Sequence, residues 1–378
     1  MKKILIIAEK YSSNLGDPLI YSIVDTIFSK KYVTDSIDLS GRKLFNHEES
    51  SNFEKNPNLI KKVYKILKYN LKKIGICISG KSMNNVKIEF INNFDNKIAE
   101  YSPDCILFAG GQMFIDSFFS QIIYVLKYCE KNNIPVFFNA CGCSNKVFLY
   151  EKRYMKKILK NSCVKYISLR DKYDIFKKYD RRNVLFETFD TAILSNSVIS
   201  RRVFSENKTG IGIMYSNFYS YKQQFDFWSS ILKKLDINNI DYEIFCNGSI
   251  DDYNFIIEIC KKNNINLSKI LNCPRSYNEL IDIICRFDNI LSMRLHSLII
   301  AYSYKIPAIA ISWDSKVKEF YKKIRNDDCC FNLDSNVEKV ISSLLDLKDS
   351  SINISTNLKV EKKIEQNINR IFKLIDNI

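Results

Sequence analysis

Histidine is almost missing from this 378-residue chain: there are two, His47 and His296. No Cys-x-x-Cys pair accompanies them, and the nearest approach is Cys141-Gly-Cys143. A structural zinc site takes about four such ligands, so no metal is expected. Glycine is scarce at 10 residues and proline at 6, which excludes collagen-like and Pro/Gly-rich low-complexity classes. No apolar run approaches the ~18–20 residues of a bilayer span. The opening MKKILIIAEKYSSN stops being apolar at Glu9 and shows no small-residue cleavage site. It reads as a buried first strand rather than a signal peptide. HExxH, GxSxG, P-loop and paired-carboxylate signatures are also missing.

What is abundant is positive charge. Lys and Arg number 57 against 42 Asp and Glu, a formal net charge of +15. Hydrophobic residues at 46% and charged residues at 26% describe a globular chain and exclude a disordered one. The length suits two domains of ~150–200 residues. There are 12 Cys, and most sit inside apolar runs (Cys77, Cys105, Cys129, Cys163, Cys246, Cys260, Cys285), as small buried hydrophobes do. That usage points to a reducing, cytoplasmic compartment without disulfides. The charge implies an anionic partner: nucleic acid, an acidic membrane surface or a phosphorylated substrate. Lysines and aromatics are not interleaved in one patch, which argues against nucleic acid.

Ile4–Ala8 is an apolar run, followed by the turn Ser12-Ser-Asn-Leu-Gly-Asp-Pro18 and a helical pattern in Leu19, Ile20, Ile23, Val24, Ile27 and Phe28. Cys105–Ala109 before Gly110-Gly111, then Pro135–Ala140 and Lys165–Leu169, repeat that opening. A second series follows: strands at Ile211–Tyr215, Tyr242–Cys246, Asn289–Met293 and, last, Ala308–Ser312, separated by helices. Strands apolar throughout and alternating with helices predict parallel sheets covered on both faces. The expected architecture is α/β: two Rossmann-like domains over residues 1–200 and 201–350. A helix in 351–378 is expected to pack back on the first. Arg181–Asn207, without strong periodicity, supplies the boundary. Ligands of such folds sit beyond the carboxyl ends of the strands, so the interdomain cleft is the expected site. Leu59–Ile74 carries six Lys on an amphipathic pattern, read either as a surface helix or as a contact for an anionic membrane surface.

Chemistry concentrates at predicted strand ends. Gly16-Asp17 and Gly110-Gly111 close two first-domain strands; glycine there lets a backbone approach a ligand, and Asp17 could cap its helix or act as a base. Ser292-Met-Arg-Leu-His-Ser297 places Arg294 and His296 where a second-domain strand gives way to a helix. A guanidinium grips phosphate or carboxylate, and an imidazole can deliver a proton near neutral pH. Lys316 ends the next strand and Arg170 a first-domain strand, so cations from both domains face one cleft. They describe a site for a small, highly charged anion.

These segments resemble the polysaccharide pyruvyl transferase family. The resemblance runs through Asn14-Leu-Gly-Asp17, Phe108-Ala-Gly-Gly-Gln-Met-Phe-Ile-Asp116, Ser168-Leu-Arg-Asp171 and Arg294-Leu-His-Ser-Leu-Ile-Ile-Ala301, and ends on Lys305 to Lys316. It implies a GT-B-like arrangement and transfer of pyruvate from phosphoenolpyruvate (PEP) to two hydroxyls of a sugar, giving a ketal. PEP would be held by Arg294, Lys316, Arg170 and Leu295. His296 would be the acid, Asp17 the candidate to orient or deprotonate a hydroxyl, and Gly16, Gly110, Gly111 and Asp116 would lie on the acceptor side. No cofactor or metal is called for. The partners implied are PEP and a sugar acceptor, lipid-linked or soluble. An enzyme that is cytoplasmic and peripheral at the inner membrane face would suit a lipid-linked acceptor. Two other readings stay open: a GT-B-type glycosyltransferase using a nucleotide sugar, with Glu319 as a ribose contact, and a basic nucleic-acid-binding protein.

Overall fold

Residues 4–8 are buried on both faces, the signature of a strand inside a covered parallel sheet. In the computed structural model of the protein, which describes residues 1–45, 88–204, 206–347 and 354–378, this run is the start of the first of two sheets. Strands β1 (Lys3–Ala8), β2 (Val33–Asp38), β3 (Cys105–Phe108), β4 (Gly111–Phe114), β5 (Val136–Cys143), β6 (Val164–Leu169) and β7 (Leu185–Glu187) form one sheet. Its order is β2-β1-β3-β5-β6-β7, with β4 added on β5. Strands β8 (Thr209–Gly212), β9 (Tyr242–Phe245), β10 (Asn289–Ser292), β11 (Ala308–Ser312) and β12 (Cys330–Asn332) form the other, in order β12-β11-β10-β8-β9. All pairings are parallel.

Both strand orders reverse once, between β1 and β3 in the first sheet and between β8 and β10 in the second. Loops leaving a reversal point diverge and open a crevice at the carboxyl edge. The four loops concerned carry Asn14–Asp17, Gly110-Gly111, Ile213–Phe218 and Met293–His296. Gly110 and Gly111 adopt φ of 115° and 83°, a region costly to residues with a Cβ. This double turn shifts the chain so that β4 continues along β5, which is long enough to pair with β3 at one end and β4 at the other.

The carboxy-terminal helix Ile354–Asp376 runs back to the first sheet. Phe372 packs edge-on against Phe28 at 4.9 Å and Tyr32 at 5.7 Å. Tyr166 donates to Asn367 Oδ1 (2.9 Å), Asn367 Nδ2 to Asn139 Oδ1 (2.7 Å), and Asn139 Nδ2 to the Ala109 carbonyl (3.2 Å). A buried polar chain thus joins this helix to the turn before Gly110.

The structure corrects several boundaries. Ala308–Ser312 is not the last strand: β12 follows as a three-residue edge strand, too short for a periodic signal. Arg181–Asn207 contains β7, paired with β6, for the same reason. The helix Leu295–Ser303 begins three residues before the expected Leu298, which puts His296 in its first turn. No disulfide links any of the described cysteines, and none of the described helices is long and apolar enough to cross a membrane. The basic segment 59–74 and His47 lie outside the described residues.

Candidate active site

Arg294 follows β10 in extended conformation (φ −78°, ψ 122°) as the residue before the helix Leu295–Ser303. Arg170 follows β6, and Asp314 follows β11 as the cap of the helix Ser315–Lys323, accepting from the Lys316 and Val317 amides. Asp17 is the second residue of the helix Gly16–Ser29. These four strand ends converge on one cavity of about 140 Å³, lined by Asp17, Arg170, Arg294, Leu295, His296 and Lys316, with Asn14, Gln112, Trp313 and Asp314. Six of the residues singled out in the sequence are therefore brought together, from both domains. A wider groove of about 760 Å³ lies between the helices Phe119–Lys131 and Leu149–Lys160 and contains none of them. Volume alone does not locate chemistry.

Each cation of the cavity has a carboxylate neighbour, and for Arg170 and Arg294 it is remote in the sequence. Arg170 is buried and its Nη1 donates to Asp190. The same Asp190 oxygen lies 3.7 Å from His296 Nε2. Burial alone would raise the Asp190 carboxyl, but Arg170 and His296 outweigh it and hold it well below the usual carboxylate range. Asp190 is thus a fixed negative charge beside the imidazole. Arg294 donates through Nε (2.8 Å) and Nη2 (2.6 Å) to Asp252 Oδ2. Burial raises the Asp252 carboxyl, against the pull of Arg294. Lys316 lies 3.6 Å from Asp314; burial pushes its ammonium below the ordinary lysine value. Asp190 lies 20 residues from Arg170 and Asp252 42 residues from Arg294, so only the fold reveals their partners.

Other expectations shift. Asp17 does not cap its helix; its Oδ2 accepts from Asn14 Nδ2 (3.0 Å) and Ser12 Oγ (3.4 Å) within the turn. Gly16 leaves room for His296: a Cβ there would stand 1.9 Å from Nδ1. A Cβ on Gly111 would be 3.1 Å from Asp17 Oδ1, and one on Gly110 would meet the Asn139 carbonyl at 2.7 Å. Asp116 lies beyond β4 and is not on the cavity wall. Lys172, two residues after Arg170, donates to Ser315 Oγ (3.0 Å) and Glu319 across the domain boundary. Glu319 is thereby engaged. Among the described residues no group of three His, Cys, Asp or Glu could hold a metal ion.

The fold is shared with solved structures. S. aureus MnaA, in a co-structure with UDP, superposes with a TM-score of 0.59 at 12% identity, covering 100% of this chain and 98% of that one. The Methanocaldococcus jannaschii UDP-GlcNAc 2-epimerase, in complex with UDP-GlcNAc and UDP, gives 0.51 at 13%, covering 93% and 94%. Such identities speak for the fold alone, which is GT-B-like: two parallel-sheet α/β domains around a cleft. Comparison with curated proteins gives no match. The family model of polysaccharide pyruvyl transferase matches residues 14–315, from the first turn through the strand end before Lys316. With four-fifths of its length inside that match, the chain belongs to the polysaccharide pyruvyl transferase family.

Proposed function

We propose that the enzyme moves pyruvate from PEP to two hydroxyls of one sugar, in a cell-surface polysaccharide or glycolipid precursor, forming a cyclic ketal. The observation that carries this reading is the cavity itself. Arg170, Arg294 and Lys316 line a space of about 140 Å³, well below the ~300–1,000 Å³ common for drug-sized ligands. That favours a three-carbon phosphate with a carboxylate over a nucleotide sugar. The partial pairing of the cations preorganises them and limits like-charge repulsion before the donor arrives.

The chemistry follows from the residues. His296 gives a proton to the PEP methylene carbon, so C2 becomes electrophilic. The Asp190 carboxylate supplies a counter-charge for the imidazolium, offsetting the repulsion that Arg294 and Lys316 would otherwise impose. A sugar hydroxyl adds to C2, with Asp17 orienting it or taking its proton. The C2–O bond to phosphate breaks, the electron pair leaving with phosphate. The second hydroxyl closes on C2 and its proton departs with the phosphate. Charge stabilisation comes from side chains on the cavity wall, with no cofactor needed. The basic segment 59–74 would hold the enzyme at the cytoplasmic face of an anionic membrane, beside a lipid-linked acceptor.

The test is incubation of the full chain with PEP and a panel of lipid-linked and nucleotide-linked sugars, following phosphate release. Phosphate formed only with a sugar present, with pyruvate retained as ketal, is the expected result. Stabilisation by nucleotide sugars without any PEP-dependent phosphate release would overturn it in favour of glycosyl transfer.

A further inference from the structure

Ketal formation places two hydroxyls of one ring at a single carbon, so the cavity needs a wall that holds a sugar. Trp313 lines the cavity directly after β11. Its ring lies 5.7 Å from that of Phe218, tilted by 34°. Phe218 belongs to the loop leaving β8 and is 72% exposed. Single exposed aromatics are ordinary; this one packs on a residue of the cavity wall.

Next to it stands Asp314. Its Oδ1 caps the helix Ser315–Lys323, 2.9 Å from the Lys316 amide. The side chain is 1% exposed, yet Oδ2 has no hydrogen-bond partner among the described residues and only Lys316 at 3.6 Å for a counter-charge. Buried polar atoms are nearly always paired, and an orphan beside a cavity calls for a donor from a ligand. Trp313 Nε1 is likewise buried and unpartnered among the described residues. An aromatic face, a free donor and a free acceptor thus sit side by side. A pyranose offers the complement: an apolar C–H face with hydroxyls around its rim.

We propose that Phe218, Trp313 and Asp314 form the acceptor subsite, with the sugar ring on the Phe218–Trp313 face and one hydroxyl donating to Asp314 Oδ2. Asp17, on the opposite domain's wall, then serves the other hydroxyl of the diol. That assignment of hydroxyls rests on the pyruvyl-transfer reading; binding of the sugar does not.

Saturation-transfer NMR on the full chain tests it, with methyl β-D-galactopyranoside, methyl β-D-glucopyranoside and methyl β-D-mannopyranoside as probes. Saturation is expected on the ring C–H protons of at least one glycoside. It should fall about five-fold or more in Phe218→Ala, the loss of one stacking partner, and similarly in Asp314→Asn, where the amide oxygen keeps the helix cap. No transfer to any glycoside in the wild type, or undiminished transfer in a folded Phe218→Ala, overturns the subsite. A PEP-induced thermal shift is measured on the same samples. If PEP gives no shift while the Phe218-dependent sugar signal persists, the donor reading fails and the subsite stands.

Discussion

Replacing Gly16 by Ala should injure the proposed acid without touching it chemically. Gly16 opens the helix Gly16–Ser29 and does not have positive φ. Its backbone therefore accepts Ala, and helix propensity even favours the change by up to ~1 kcal/mol. The obstacle is across the domain boundary. The new Cβ would stand 1.9 Å from His296 Nδ1 and 2.0 Å from its Cγ, where real contacts stay above 3.0 Å. The imidazole must retreat by about 1 Å, at a cost of roughly 1–3 kcal/mol for overpacking. A reacting group misplaced by that much loses on the order of 10²-fold in rate. PEP-dependent phosphate release should fall accordingly, while circular dichroism stays that of the wild type. A double-mutant cycle isolates the cause: because the new Cβ also stands 2.6 Å from the His296 Cβ, the partner variant is His296→Gly, and Gly16→Ala combined with it should be no slower than His296→Gly alone. Turnover of Gly16→Ala within three-fold of wild type, or additive losses in the double variant, would refute the argument.

His296→Gln should keep the fold and most PEP affinity but lose ~10²–10⁴-fold in turnover, the usual range for a general acid; in D₂O the wild-type ketal methyl should carry solvent deuterium. Arg294→Ala should raise the PEP KM and also cost stability, because it strands the buried Asp252. Breaking a buried pair costs roughly 3–5 kcal/mol, and the Arg294 side chain, 23% exposed, places the loss at the lower end in urea titration. Lys316, with its ammonium destabilised by burial, should lose its charge at lower pH than the ~10.4 of a free lysine. The kcat/KM for PEP should therefore decline on the alkaline side below that value, a limb that Lys316→Arg abolishes. Folding stability moves the opposite way: between the depressed and the ordinary pKa the unfolded chain binds more protons, so this lysine's contribution rises with pH. An alkaline limb unchanged in Lys316→Arg would assign it to another group.

Eight of the strands, and the strand ends that carry Asp17, Arg170, Arg294 and Lys316, were legible because those strands are largely apolar and end in polar or glycine-containing turns; β2, with Thr34, Asp35, Ser36 and Asp38 among its six residues, and β4, directly behind Gly110, were not. Arg294, His296 and Lys316 could be placed for that reason: a strand end fixes direction. Carboxylates could not. Asp190 faces Arg170 twenty residues earlier and His296 in the other domain, and nothing local to Phe189-Asp-Thr marks it. Asp252 stands beside Asp251 at a helix start, where acidic residues are common whatever they face. Gly16 was read as room for a ligand because sequence shows that a side chain is missing, never what occupies the space. Strands β7 and β12, of three residues each, fall below the length at which alternation or apolarity can be recognised.

The carboxy-terminal helix has a consequence for the order in which the protein is made. Its Asn367 completes the buried chain between Tyr166 and Asn139, and its Phe372 fills the space against Phe28 and Tyr32. The first sheet is synthesised early, yet its last packing partners emerge only after the whole second domain. At ~5–20 residues per second the wait is roughly 10–30 s. Through that interval the face around Phe28, Tyr32 and Tyr166 lacks the helix that covers it in the folded protein, so the first domain completes its packing only after the second has been made.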